Sequence, residues 1–255
     1  MKIGFSSLAL FMKPLNIMLE MAKTDGFQLL EISCEGSYLP RYLLRDEIRS
    51  HEINRMAKSM SIDLSLHSPA VDLNPASMNQ GVREETAKQI IETLDLAKIF
   101  GAKRITVHPG IVHRKEKRIR DLALGFAVET LKVCNEHAEI IGVKLCLENM
   151  PCIGSYLGNT PDEYVNLIED IGCLSIIDWG HANTYKNPYE FLNTPNISYF
   201  HLSDNGSIKD QHLSLGEGTS DFSNEFLKKV DYGIIELNNY ENVLKSKKFI
   251  DRILK

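Results

Sequence analysis

The sequence is poor in the features that assign a protein quickly. Its five cysteines (34, 134, 146, 152 and 173) are an odd number and form no Cys-x-x-Cys pair. That argues against a thiolate zinc ribbon or a disulfide framework and favours reduced thiols in a reducing cytoplasm. No stretch approaches the roughly 18 consecutive apolar residues of a membrane span. The opening MKIGFSSLALF breaks at Lys13-Pro14, too early for a signal peptide and its cleavage site. The expectation is a cytoplasmic protein with no membrane partner. An excess of positive charge is missing as well, with 29 Lys and Arg against 34 Asp and Glu. Broad, non-specific phosphate neutralisation is disfavoured, although a local basic rim is compatible with this balance. Linkers, low-complexity tracts and shifts of composition are also lacking, so residues 1–255 read as one domain.

What is present is a repeating alternation. Short apolar runs occur at 3–6, 29–33, 63–67, 104–108, 143–148, 174–178, 198–201 and 233–237. Continuous apolarity over so few residues suits strands covered on both faces, as in a parallel sheet. Amphipathic stretches lie between them at 15–23, 46–60, 83–100, 119–141, 161–171, 222–229 and 242–254, with only a turn or two at 189–192. Thr160-Pro161-Asp162-Glu163 reads as a capping hydroxyl, a proline at the first helical position and acids in the first turn. Gly26, Gly101, Gly142 and Gly172 each follow a helical pattern, where a left-handed residue commonly ends a helix. Eight such units predict an α/β fold, a single-domain (β/α)₈ TIM barrel, and the length is close to the roughly 250 residues typical of one.

The ionisable residues fall at the ends of these strands. His67, His108, Glu148, Asp178, His201 and Glu236 close six successive runs, and His181, Asp210 and His212 follow strands six and seven. All strands of a barrel point one way, so these nine groups converge on the mouth where barrel active sites lie. Any one of them alone would read as a hydrogen-bonded side chain or half of an ion pair. Nine anionic or imidazole groups together, without cations, would be costly to bury. A divalent metal supplies the missing charge. Nitrogen and carboxylate donors without thiolate suit zinc, manganese or iron better than calcium.

The motifs LHSPAVDLNPAS, ITVHPG, CLENMP, IIDWGHA, FHLSDN, DQHLSLGEG and IIELNN carry a resemblance along nearly the whole chain. It resembles the xylose-isomerase-like TIM-barrel superfamily and, within it, the endonuclease IV branch (AP endonuclease family 2). That resemblance implies up to three zinc ions, with manganese or another divalent ion an alternative. His67, His108 and Glu148 would hold the first. Glu148 would bridge to the second, completed by Asp178, His201 and Glu236, and His181, Asp210 and His212 would hold the third. The implied activity is phosphoester hydrolysis, with abasic-site DNA as one substrate and Glu148 and Glu236 at the reacting centre. Three positions depart from the branch: Ala70 replaces an aromatic wedge, Gln211 replaces an arginine, and Gly180 replaces a cysteine. The superfamily also implies an alternative, a mononuclear sugar or sugar-phosphate isomerase or epimerase. There Glu148, Asp178, His201 and Glu236 hold one ion, the two glutamates exchange protons, and His181 contacts a small sugar phosphate. His67 and His108 favour the multinuclear reading, since one ion does not need them.

Helpers are candidates only. The basic run 113–118 and Arg41 and Arg45 lie on the functional side and offer phosphate contacts or plain solvated charge. Asn149, Asp204 and Glu217 sit beside ligands and offer either imidazole orientation or loop hydrogen bonds. Trp179, the single tryptophan, fits a pocket wall or the core.

Overall fold

A computed structural model describes residues 1–114 and 116–255. Lys115, within the basic run 113–118, lies outside the described residues. Eight parallel strands close a barrel in sequence order: β1 (Lys2–Ser6), β2 (Leu29–Ser33), β3 (Asp63–His67), β4 (Arg104–Val107), β5 (Lys144–Glu148), β6 (Leu174–Asp178), β7 (Ile197–Leu202) and β8 (Tyr232–Ile235). β8 returns to β1 through the register Ile3↔Gly233 and Phe5↔Ile235. The expected (β/α)₈ barrel is the fold. Among the described residues no helix is long and apolar enough to cross a membrane.

The helices form the outer layer. The principal ones are α1 (Leu15–Thr24), α3 (Glu47–Met60), α4 (Gln80–Phe100), α5 (Lys117–Ile141), α6 (Pro161–Ile171) and α9 (Tyr240–Ile253). Three further helices are short: α2 (Pro40–Leu43), α7 (Trp179–Asn183) and α8 (Asn224–Leu227). The segment at 189–192 lies within a 3₁₀ turn, Pro188–Asn193. On α6 the residues Tyr164, Leu167, Ile168 and Ile171 follow the i, i+3, i+4, i+7 spacing and are all buried. The Tyr164 hydroxyl lies 2.7 Å from the carbonyls of both Leu147 and Ile176, pinning β5 to β6 just below two candidate ligands. Gly101, Gly142 and Gly172 cap α4, α5 and α6 in the left-handed region. Thr160 occupies the first cap of α6, but its hydroxyl makes no capping bond; Pro161 and the acids after it suffice.

The barrel interior is layered by the two-residue period of a strand. Leu29, Cys146, Ile176, Tyr199 and Ile234 form an apolar cluster low in the barrel. One period further along their strands stand Glu31, Glu148, Asp178, His201 and Glu236. On β3 and β4 the same step leads from Ser65 and Thr106 to His67 and His108. The pleat thus carries six candidate ligands inward at one level. β4 and β8 end one residue short of theirs, so His108 and Glu236 begin the following loops.

Candidate metal centre

The nine side chains meet in three sets whose ligand atoms lie within 4.8 Å of one another. One is His67, His108 and Glu148; another is Glu148, Asp178, His201 and Glu236; the third is His181, Asp210 and His212. Glu148, 1% exposed, belongs to two of them through different oxygens. Its Oε2 faces His67 Nε2 at 3.4 Å and His108 Nε2 at 3.1 Å. Its Oε1 faces His201 Nδ1 at 2.9 Å, and that nitrogen also lies 3.1 Å from Glu236 Oε2. In the third set Asp210 Oδ2 stands 3.3 Å from His181 Nε2 and 2.9 Å from His212 Nε2.

Local structure explains these aims. Asp178 ends β6 and caps α7, its Oδ1 accepting the His181 backbone N–H at 2.6 Å, so one carboxylate sets the position of the next ligand. Its Oδ2 is buried without a hydrogen-bond partner, as is Asp210 Oδ1. Four imidazoles have an acceptor behind them. His67 Nδ1 lies 2.9 Å from the Ser68 carbonyl, His181 Nδ1 2.8 Å from the Asn149 carbonyl, and His212 Nδ1 2.8 Å from the Glu236 carbonyl. In the neutral ring, an N–H donated backward leaves the forward nitrogen with a lone pair aimed at a carboxylate oxygen. Two lone pairs at this range repel unless a proton or a metal cation stands between them.

The fourth imidazole has the most elaborate support, and sequence reasoning missed it. His201 Nε2 lies 2.9 Å from Glu31 Oε1, close enough to pair but not aligned as a hydrogen bond. Both residues are fully buried. Glu31 Oε2 accepts from Tyr199 at 2.8 Å, Thr106 at 3.1 Å and Ser65 at 3.2 Å. The only available signal was a lone carboxylate inside the apolar run Leu29-Leu30-Glu31-Ile32.

Charge in the cluster is balanced by protons. Burial would neutralise these histidines, yet the carboxylates around them lift His67 and His212 to about 9 and hold His181 and His201 well above the ordinary imidazole value. Burial likewise opposes ionisation of Glu148 and Glu236, but His201 beside them keeps Glu148 well below the carboxylate range and Glu236 at about 2. Asp178 goes the other way, to about 7, through burial and the neighbouring acids. Among the described residues, every ion pair of the cluster carboxylates is with a histidine. The donor set therefore fits a divalent cation, which would replace these protons.

The other candidates are placed differently. The Asn149 side chain exchanges hydrogen bonds with the Asp178 backbone and orients His181 only through its carbonyl. Asp204 accepts the N–H groups of Asn205, Gly216, Gly218 and Ser220 and so builds the loop holding Asp210 and His212. Glu217 pairs with Lys245 at the surface. Arg41 is engaged by Glu85 at 2.5 Å and Glu92 at 3.4 Å. Trp179 is fully buried, stacked 4.2 Å from Phe226, and belongs to the core.

Known proteins share this framework. A family model described as xylose isomerase-like TIM barrel matches residues 19–249. An uncharacterized protein of Methanocaldococcus jannaschii is 33% identical over all of this chain and 89% of its own length. A probable endonuclease 4 of Ureaplasma parvum is 27% identical over 81% of this chain and 75% of its own. A crystal structure of a D-tagatose 3-epimerase-like protein superposes with a TM-score of 0.88 at 32% identity, covering 100% of this chain and 97% of that one. Since the family match runs from within the first helix to within the last, around a closed barrel, the chain belongs to the xylose isomerase-like TIM-barrel family.

Proposed function

We propose that the protein is a divalent-metal-dependent phosphoester hydrolase of the endonuclease IV type, using up to three ions with zinc foremost. The observation that carries this reading is the position of Glu148 between His67 and His108 on one oxygen and His201 on the other. A single ion needs only Glu148, Asp178, His201 and Glu236. His67, His108 and the trio His181, Asp210 and His212 are redundant for it, yet all are aimed inward. Ions held in these sets would acidify a water for attack near neutral pH and offset charge on the phosphoryl oxygens. The chain's own part is to hold the donors apart: Glu148 spans two sets, Glu236 closes the second, and carbonyls behind the imidazoles hold their free nitrogens forward.

Abasic-site DNA is a weaker substrate in this reading than a smaller phosphoester. Gln211 spends its carbonyl on the Gly206 N–H at 2.8 Å, Arg41 is tied to glutamates, and Ala70 offers no wedge. The test is elemental analysis of protein purified without chelator, together with hydrolysis of bis(p-nitrophenyl) phosphate by wild type and His67→Ala. Near three ions per chain, and loss of most activity in the variant, are expected. A reproducible value near one, with His67→Ala unimpaired, overturns the reading.

One observation favours a second reading, a mononuclear sugar or sugar-phosphate epimerase. Glu148, Asp178, His201 and Glu236 by themselves make a four-donor set, and the relative at 32% identity is described as D-tagatose 3-epimerase-like. Glu148 and Glu236 would then carry the proton to and from the sugar carbon. Turnover of a ketose or ketose phosphate by protein holding one ion would establish it.

A further inference from the structure

A recess of about 270 Å³ opens beside the candidate metal centre, and His108 lines it. The same ring faces Glu148 at 3.1 Å and is 30% exposed, so the recess and the first ligand set share a wall. The rest of the lining is largely apolar, including Ala70, Ile90, Ile111, Met150 and Tyr156. Among the described residues no lysine, arginine, aspartate or glutamate lines it. Val71, 68% exposed, continues the apolar surface to the rim. Nothing in this chemistry favours a phosphate inside the recess, whereas roughly 150 Å³ of apolar space is enough to bind benzene.

The recess is also held open by directed bonds. Glu35 Oε1 accepts the N–H groups of Ala70 at 2.7 Å and Val71 at 3.0 Å, fixing the loop after β3. Asn74 ties that loop to the one after β4. Its Oδ1 accepts from Ala76 and Ile111, and its Nδ2 donates to the Ile111 carbonyl at 2.9 Å. Gly110, at φ +102°, permits this junction, because a Cβ there would come within 2.4 Å of Asn74 Oδ1. Preformed, mostly apolar concavities next to a few polar groups are where small ligands bind.

We propose that this recess is a substrate subsite, receiving an apolar ring, an aryl or comparably flat organic group, esterified to the phosphate that the metal centre binds. The inference rests on the phosphoester reading. The phosphoryl group would lie at His67, His108 and Glu148, with its ring substituent passing His108 into the recess.

The test compares phenylphosphonate with methylphosphonate, which offer the same oxygens and differ in the ring, by calorimetry on the metal-loaded protein. Burying the ring is expected to make phenylphosphonate bind about tenfold tighter or more. Ile111→Trp, and separately Ala70→Phe, should fill the recess and bring the ratio of the two affinities toward one, with metal content and melting temperature at wild-type values. Equal affinities in wild type overturn the subsite and leave the phosphoester reading standing. A ring preference that survives both folded, metal-loaded variants places the ring elsewhere and also overturns it. Failure of both phosphonates to bind loaded protein overturns the phosphoester reading, and the subsite with it.

Discussion

Glu31→Gln isolates one interaction of the candidate centre. The amide keeps the shape of the carboxylate, its oxygen can face His201 Nε2, and two of the hydroxyls of Ser65, Thr106 and Tyr199 can turn to accept from its two N–H groups. What disappears is a negative charge 2.9 Å behind a fully buried imidazole. Partners behind metal-ligating histidines are commonly worth about 10–100-fold in metal affinity, about 1.4–2.8 kcal/mol. Glu31 and His201 are both 0% exposed, so water cannot replace the lost charge, which places Glu31 near the upper end. The variant should therefore hold the ion of the Glu148, Asp178, His201 and Glu236 set about 100-fold more weakly. The trio of His181, Asp210 and His212 keeps all its own donors and should weaken far less. The assay is competition with a chromophoric chelator, reading the number of ions released at each chelator concentration. One early-released ion is expected in the variant. Release of every ion at the wild-type chelator concentration would refute the reasoning. Glu31→Ala, which also removes the acceptor shared by three hydroxyls, should lower the melting temperature even when metal is saturating, by about 3–5 kcal/mol of stability.

Chelation of the wild-type protein should lower its melting temperature and readdition of metal restore it, by mass action on the native state; unchanged melting after verified metal removal would contradict the metal reading. In the chelated protein His67 and His212 titrate at about 9, above the unfolded value near 6.5, so their stabilisation is complete below about pH 6.5 and is lost as pH rises through 9. Calorimetry should show the chelated protein melting lower at pH 9 than at pH 6.5, and the loaded protein should lack that fall. Abasic duplex DNA should be cleaved slowly and with strong salt dependence, because phosphate contacts would dominate its binding; rapid cleavage at physiological salt would show that the absent wedge matters little. Trp179→Ala should cost about 3–5 kcal/mol in denaturant unfolding, since the ring stacks on Phe226 and donates to the Asp221 carbonyl at 2.8 Å.

The barrel was legible because each strand carries its own evidence, a short apolar run ending in a polar group. β2, β3 and β6 match the expected bounds residue for residue. The convergence of nine side chains followed from the common direction of the strands. Glu31 was not legible, because its partners are defined by the closed barrel; Tyr199 is 168 positions away. Adjacency misled in the other direction. Glu217 lies near Asp210 and His212 in sequence, but its loop turns it outward to Lys245, while Asp204 spends its oxygens on backbone N–H groups. The recess beside His108 needs segments after β3, β4 and β5 together, so no single motif announces it.

Asp178 has a consequence beyond its own set. One oxygen caps the helix that carries His181, and the other, buried without a partner, belongs with Glu148, His201 and Glu236. A tug on either oxygen turns the same plane. Glu148 is shared between two sets in the same way. Two double-duty carboxylates make the three sets one mechanical object. Its wild-type loading curve should rise more steeply than that of three independent sites.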